Sequence, residues 1–451
     1  MVKVSKFGGS SLADAPQIKK VCEIITSDPA RTLVIVSAPG KRFKEDIKVT
    51  DMLISLANAR LSGLDASEEF NHVIRRFSDI ATELGMDGEI VDIIKKDIWA
   101  RMTSDMGNTG KYMDSMKASG EDNCAKIIAR YLKDHGHDAR YIHPGEAGLL
   151  LSEEYGNAQV LPESYENLAR LKLIGGIKIF PGFFGYSEHG DVVTLPRGGS
   201  DVTGSILAAA VEADVYENFT DVDNVFSVNP GLVKNPVSIS HMTYKEMREL
   251  SYAGFGVFHE EALTPVYYKD IPVHIKNTNN PSAPGTIICA DIDKKGRNPI
   301  IGIAGDKGFC SIYIRKYLMN REIGFGRKLL GILEEERIPY EHMPSGIDDI
   351  SVIIREKFIT PDKERRVFER IKTQLNADGV EITHGQALVM LVGEGCLDDS
   401  STLSKASAAF QKSGIKIKMI NQGSSKVSIM FGMDEKYYEE AIRSLYRTFF
   451  T

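Results

Sequence analysis

Residues 1 to 290 alternate short apolar runs with amphipathic stretches, the pattern of a sheet of mainly parallel strands with helices on both faces. Residues 2–7 alternate with the period of a β-strand. Asp14 and Pro16 then mark the start of a helix running to about Ser27, with Ile18, Val21, Cys22 and Ile25 on one face. Residues 32–37 centre on an unbroken apolar run, as a buried parallel strand requires. A helix is expected from near Thr50 and Asp51, and residues 65–117 read as a helical excursion from the sheet. Ser119-Gly120-Glu121 is expected to open a further helix to about Asp134, followed by strands over 139–142 and 177–183. An alanine-rich helix over 202–213, capped by Ser200 or Asp201, precedes a strand over 213–219.

Beyond a polar stretch at 291–298 the pattern changes to two similar units. The first places strands at 310–315, 338–341 and 349–354 and helices at 325–336 and 361–375. The second places strands at 387–392, 415–420 and 426–431 and helices at 400–412 and 434–448. Each is a βαββα unit of the ferredoxin-like kind, repeating after about 77 residues.

Candidate chemistry gathers at two glycine-rich turns. In Lys6-Phe7-Gly8-Gly9-Ser10-Ser11, the glycines remove any Cβ between backbone N–H groups and an anion, and a helix N-terminus follows. Lys6 adds a point charge able to follow a transferring phosphoryl group. By itself a glycine pair between strand and helix also serves as a plain βα turn. In Arg197-Gly198-Gly199-Ser200-Asp201, the guanidinium can grip a carboxylate with two parallel hydrogen bonds. Thr220-Asp221-Val222-Asp223-Asn224-Val225-Phe226 is a polar loop at a strand's carboxyl end, where open α/β sheets place ligands. Its Asp and Asn residues equally suit turn chemistry. Gly107 to Lys111 lacks the spacing of a P-loop, with Tyr112 where a hydroxyl belongs.

Composition narrows the classes. The 451 residues leave room for two or three domains, and a net charge of −7 without a basic tract argues against nucleic acid as a partner. No apolar run approaches the roughly 20 residues of a membrane span, and no signal-peptide pattern is expected, so a cytoplasmic protein is anticipated. Five scattered cysteines without a C-x-x-C pair read as buried thiols in a reducing compartment, and His135 and His137 as loop residues rather than a metal site.

Taken together, the segments resemble the aspartokinases, ATP-dependent kinases of the amino-acid kinase family, along essentially the whole chain. Lys6 to Ser11 is similar to the K-F-G-G-[TS]-S signature; Val34 to Ala38, Thr50-Asp51, Ser119 to Glu121 and Arg197 to Asp201 are similar to the substrate segments. Thr220-Asp221-Val222 resembles the nucleotide loop, and Lys276-Asn277-Thr278 with Pro284-Gly285-Thr286 the end of the catalytic domain. Gly393, Met419 and Asn421-Gln422-Gly423 stand where tandem ACT modules place such residues. The resemblance implies a three-layer αβα kinase domain with a mostly parallel sheet over 1–290, and ferredoxin-like ACT modules over 300–380 and 381–451.

It also implies transfer of the ATP γ-phosphoryl group, with Mg²⁺ carried mainly on the nucleotide, to the β-carboxylate of L-aspartate. Lys6, Arg197 and Asp201 would be catalytic, with Lys6 stabilising charge and Asp201 orienting Lys6 or the substrate. Arg197 would hold the α-carboxylate and Glu121 the ammonium group, with Thr50 and Ser37 adding hydroxyls. Lys6, Gly8, Gly9, Ser10, Thr220, Asp221, Phe226, Gly256 and Val257 would face the nucleotide. Lysine or threonine is the implied effector, near Met319, Gly324, Phe325 and Ser345, in a homodimer or larger assembly built through the ACT modules. The residue reading leaves open that 319–325 only docks a helix on its own sheet.

Two positions depart from the pattern. Gly256 stands where many members carry Lys in G-A-K-V-[LI]-H-P, and Gly231 where many carry Arg in Asp-Pro-Arg. Weaker ATP binding, or compensation by Lys234 or another nearby cation, is the expectation. The alternative class is an amino-acid-sensing protein with a degenerate kinase domain, opposed by the retention of Lys6, Glu121, Arg197 and Asp201.

Overall fold

The computed structural model describes residues 1–256, 258, 260–292, 297–396, 399–423 and 426–451. The chain forms two compact units. The first comprises Met1–Val225, Ser238–Arg248 and Gly256–Ile292, and the second Phe226–Val237, Glu249–Phe255 and Asp293–Thr451.

The first unit is built on strands β1 (Lys3–Phe7), β2 (Arg31–Val36), β3 (Ala139–Tyr141), β4 (Ile177–Pro181), β5 (Val215–Thr220), β6 (His241–Thr243), β7 (Val273–Asn277) and β8 (Thr286–Cys289). They lie in the order β6-β8-β7-β5-β1-β2-β4-β3. All pairings are parallel except β7 with β8. Helices α1 (Ala15–Thr26), α2 (Val49–Leu61), α3 (Ser67–Glu83), α4 (Gly88–Met102), α5 (Thr109–Asp134) and α6 (Gly199–Ala210) connect and cover it. The chain winds outward from β1 through β2 and β4, then returns by α6 to β5 on the other side of β1. That reversal opens a crevice at the carboxyl ends of the central strands.

Local signals at the first turn hold. The Asp14 side chain accepts from the Gln17 N–H at 3.0 Å and caps α1. Two expected helix starts are corrected. Ser119-Gly120-Glu121 lies inside α5, which begins ten residues earlier at an Asn108 cap. Gly120 is tolerated mid-helix because a Cβ there would fall 2.8 Å from the Ala38 Cβ, so the glycine lets α5 meet the turn after β2. Ser200 and Asp201 do not cap α6 but sit in its first turn, behind Gly198 in a left-handed conformation at φ 82°.

In the second unit, strands β9 (Gly302–Arg315), β10 (Asp349–Arg355), β11 (Gly379–Val392), β12 (Met419–Asn421) and β13 (Ser428–Asp434) form one antiparallel sheet, ordered β10-β9-β11-β13-β12. The expected strand over 338–341 is absent; only isolated bridges at His342 and Ser345 occur there. β9 and β11 are 14 residues each, and their pairing is irregular between Lys307 and Ser311. Each long strand serves two cores. Helices α7 (Phe325–Glu335) and α8 (Pro361–Gln374) pack Leu329, Val367 and Ile371 with Ile312 and Val352. Helices α9 (Thr402–Lys412) and α10 (Tyr438–Phe449) pack Phe410 and Leu445 with Ile303, Val389 and Phe431. The 309–383 segment is thus inserted between strand pieces of the other core. Among the described residues, no helix is long and apolar enough to cross a membrane.

One buried cation ties the loops that follow β1 and β2. Arg76 of α3, its side chain 1% exposed, donates to Asp46 at 2.9 Å and to the carbonyls of Ala13 at 2.9 Å and Gly40 at 2.7 Å. Gly40 in turn donates its N–H to the Gly9 carbonyl at 2.8 Å. A Cβ on Gly40 would stand 2.5 Å from the Gly9 carbonyl carbon. Arg76→Ala therefore strips three acceptors of a partner and is expected to cost about 3 kcal/mol, read as a lower urea midpoint. An unchanged midpoint would show that the two loops hold each other without it.

Candidate active site

The carboxyl ends of β1, β2 and β4, the first turns of α2 and α6 and the middle of α5 enclose a cavity of about 550 Å³ in the first unit. Lys6, Gly9, Ser37, Thr50, Glu121, Arg197 and Asp201 all line it. Residues read from five separate stretches therefore meet in one place.

Lys6 comes from β1, its side chain 9% exposed, with Nζ 2.5 Å from Asp201 Oδ1. Asn218 of β5 donates to the same oxygen at 2.8 Å. Asp201 is thus held from two neighbouring strands, and it fixes the Lys6 ammonium at the cavity wall. Glu121 is buried beside the Ala38 turn, and its Oε2 has no hydrogen-bond partner. Burial pushes its carboxyl up to about 8, against the pull of a backbone hydrogen bond from Ala38 and of the Lys117 and Lys6 charges. Arg197 is exposed at the rim, and among the described residues its guanidinium has no ion-pair partner. Thr50 is half-buried at the start of α2, and Ser37 donates its N–H to the Phe7 carbonyl at 3.2 Å.

The nucleotide-side residues are less uniform. Gly9 and exposed Ser10 form a single 3₁₀ turn with Ser11 and Leu12. The Gly8 N–H does not face a ligand, because it donates to the Phe219 carbonyl at 3.2 Å and prolongs the β1–β5 pairing by one residue. Buried Ser11 is hydrogen-bonded to Thr278 at 2.7 Å, tying this turn to the end of β7. Thr220 closes β5 and donates to exposed Asp221 at 3.2 Å. A Cβ at Gly256 would meet open space. Val257 lies outside the described residues. Phe226 and Lys234 fall in the second unit.

Several cavity residues were missed by sequence reasoning: Lys48, Lys117, Gly156 and Phe183. Lys117 stands one turn before Glu121 on the same helix face, a spacing visible only once α5 is extended backward. Phe183 has φ 75°, a left-handed conformation that nothing in its residue type announces. Its N–H donates to Thr203 at 3.0 Å.

The effector candidates separate in space. Met319 and Phe325 are side chains of the core beneath α7, and Gly324 is the left-handed residue before α7. Ser345 instead lines a second cavity of about 610 Å³, with Ser311, Tyr313, Ser351, Thr383 and Gln386. Strand alternation puts that cavity on the sheet face opposite Ile312 and Ile314.

A Lys–Asp pair at the central strands of such a sheet, with a carboxyl that keeps one oxygen unpartnered and a rim arginine, suits a small-acid phosphotransferase. The model of the amino acid kinase family matches residues 1–277, and that of the ACT domain residues 389–449. The chain is 54% identical over 449 residues to aspartokinase 3 of Bacillus subtilis (strain 168), covering 100% of this chain and 99% of that one. It belongs to the aspartokinases of the amino acid kinase family. Among solved structures it is similar to the Clostridium acetobutylicum aspartate kinase, described as an allosteric enzyme, at TM-score 0.85 and 40% identity, covering 99% and 100% of the two chains. Escherichia coli aspartokinase III in complex with aspartate and ADP shares the fold at TM-score 0.82 and 22% identity, with 100% of each chain covered.

The Glu121 carboxyl makes a pH signature. It binds a proton more tightly folded than unfolded, so it costs the ligand-free protein stability as pH rises from the ordinary carboxylate range to about 8. Melting temperatures of the chain and of Glu121→Gln are expected to diverge over that window in favour of the variant. Parallel curves would mean that the carboxyl is not poised in this way.

Proposed function

We propose that this chain transfers the γ-phosphoryl group of ATP to the β-carboxylate of L-aspartate, giving 4-phospho-L-aspartate and ADP. The observation that carries the reading is the meeting of Lys6, Glu121, Arg197 and Asp201 at one cavity. That set complements a zwitterion with two carboxylates. Arg197 takes the α-carboxylate, and Glu121 takes the ammonium group, losing its own proton when the cation arrives. Thr50 and Ser37 add hydroxyls on the β-carboxylate side.

The acceptor is already an anion, so no general base is needed. A carboxylate oxygen attacks the γ-phosphorus while the bond to the β,γ-bridging oxygen breaks, and ADP leaves with that electron pair. What the chain must supply is alignment of two anions and relief of charge on the transferring oxygens. Lys6 serves the second need. Asp201 holds its ammonium in place, so little reorganisation accompanies transfer. Gly9 and Ser10 flank the phosphates, with Thr220 and Asp221 further along the nucleotide. Mg²⁺ bound on the phosphates would neutralise part of their charge; among the described residues no cluster of three carboxylate, imidazole or thiol groups stands ready as a separate metal site. The chain is further read as cytoplasmic and as assembling into at least a homodimer through its ACT modules.

Lys6→Ala is expected to lower kcat for aspartate-dependent ADP release roughly 10²- to 10³-fold, while the KM for aspartate changes little. Equal turnover in the variant would remove Lys6 from the mechanism. No turnover by the unaltered chain, with an amino acid still raising its melting temperature, would favour the sensing class.

The second unit is read as the sensor for an end-product amino acid, lysine or threonine. The polar cavity that Ser345 lines supports uptake there, whereas buried Met319 and Phe325 offer only indirect influence. Inhibition needs tighter binding to the less active arrangement. Ser345→Leu should raise the concentration of lysine or threonine giving half-inhibition about tenfold, a coupling loss near 1.4 kcal/mol; an unmoved inhibition curve would take Ser345 out of the site.

A further inference from the structure

Outside the residues assigned above, one buried carboxylate is wired to much of the cavity wall. Asp114 lies on α5, 1% exposed. Its Oδ2 accepts from the Gly156 N–H at 2.7 Å and from the Thr194 N–H at 2.8 Å. Its Oδ1 is 2.7 Å from Lys117 Nζ. Lys117 also donates to Thr194 Oγ1 at 3.1 Å, and its ammonium sits 5.8 Å over the Phe183 ring. Gly156, Lys117 and Phe183 are cavity residues, and Thr194 stands three residues before Arg197. The loop through Gly156 is joined to the same residue, since Ala158 donates to the Thr194 carbonyl at 3.1 Å.

We propose that Asp114 is a positioning residue for the amino-acid half of the site. It holds the segment that carries Arg197 at a fixed distance from α5, which carries Glu121. The argument rests on the reading of the cavity as an aspartate site. Arg197 and Glu121 reach opposite-charge ends of one small ligand, so their separation must match its length. Arg197 itself has no ion-pair partner to fix it, so the anchoring must come from the backbone behind it. That backbone is pinned at Thr194. A carboxylate accepting from two N–H groups and an ammonium has its charge compensated by three donors, which is what makes its burial tolerable. Lys117 completes the anchor and brings a cation to the wall one turn from Glu121. No contact of Asp114 reaches Lys6, Gly9 or Thr220, so the nucleotide side is left alone.

The test is steady-state kinetics of the full chain with MgATP and L-aspartate. Asp114→Asn keeps the size but lacks the second acceptor oxygen, so one of the three donors loses its partner. It is expected to raise the KM for aspartate roughly 10- to 100-fold and to leave the KM for MgATP unchanged. Lys117→Met, which retains both backbone hydrogen bonds to Asp114, should raise the KM for aspartate by a smaller factor. Lys111→Ala removes an exposed ion pair to Asp191 between the same elements and should leave both constants unchanged. An unaltered KM for aspartate in folded Asp114→Asn overturns the proposal, as does an equal rise in both KM values, which would indicate general loosening. If Asp114→Asn does not fold, an unaltered KM for aspartate in Lys117→Met overturns it. Absence of aspartate-dependent turnover in the unaltered chain would instead overturn the activity on which the inference rests.

Discussion

The site depends on an ammonium and a carboxylate placed together at the centre of the sheet. Lys6 and Asp201 are nearly buried, and neither would be tolerable there alone, because desolvating a single charge costs several kcal/mol. Their pairing makes the position stable, and the parallel neighbours β1 and β5 make the pairing possible. Asn218 faces Lys6 across the β1–β5 register and donates to the same Asp201 oxygen. On the proposed reading, this neutralised pair lets a cation be presented to phosphate oxygens without being left bare when no phosphate is there.

The proposed amino-acid half is organised on the opposite principle. Glu121 keeps an oxygen without a partner, and Arg197 keeps a guanidinium without a counter-ion. The buried Glu121 oxygen lowers stability until a ligand supplies a partner, a cost the exposed Arg197 does not carry. The protein holds these two groups in position with interactions elsewhere: the close approach of Gly120 to Ala38 on one side, and the hydrogen bonds converging on Asp114 on the other. On the proposed reading, preorganisation lies in the residues behind the site, and the groups that would meet the ligand are left without partners.

What was legible in the sequence follows from locality. The turn after β1, the Asp14 cap and the Arg197-Gly198-Gly199 stretch are encoded within a few consecutive residues, and the structure has them there. The start of α5 was misplaced because a glycine inside a helix reads as a boundary when its packing partner, Ala38, lies some eighty positions away. The Gly8 N–H was assigned to phosphate because its acceptor is the carbonyl of Phe219, far along the chain. Asp114 gave no signal at all. Its three donors come from Lys117, Gly156 and Thr194, and only the tertiary structure makes them neighbours.

The second unit shows the same limit on a larger scale. Two repeats were visible in the order of helices and strands, but not the sharing of strands between their cores. Ile303 and Ile312 lie on one strand and are packed in different cores, and Val389 and Ile382 repeat this on the adjacent strand. Side chains alternate faces along a strand with a period of two, so a shift of register by one residue exchanges the buried and open faces. The irregular pairing between Lys307 and Ser311 leaves no such shift: Lys307 pairs with Ala387 and Ser311 with Thr383, so the register is the same on either side. One continuous pair of strands thus serves two hydrophobic cores with its register unchanged. In the Ser345 cavity, Ser311, Thr383 and Gln386 come from the shared strands, whereas Met419 and Ile420 lie on β12 and Lys418 just before it. A ligand taken up there would touch elements of both modules, so its binding energy bears on the packing of each.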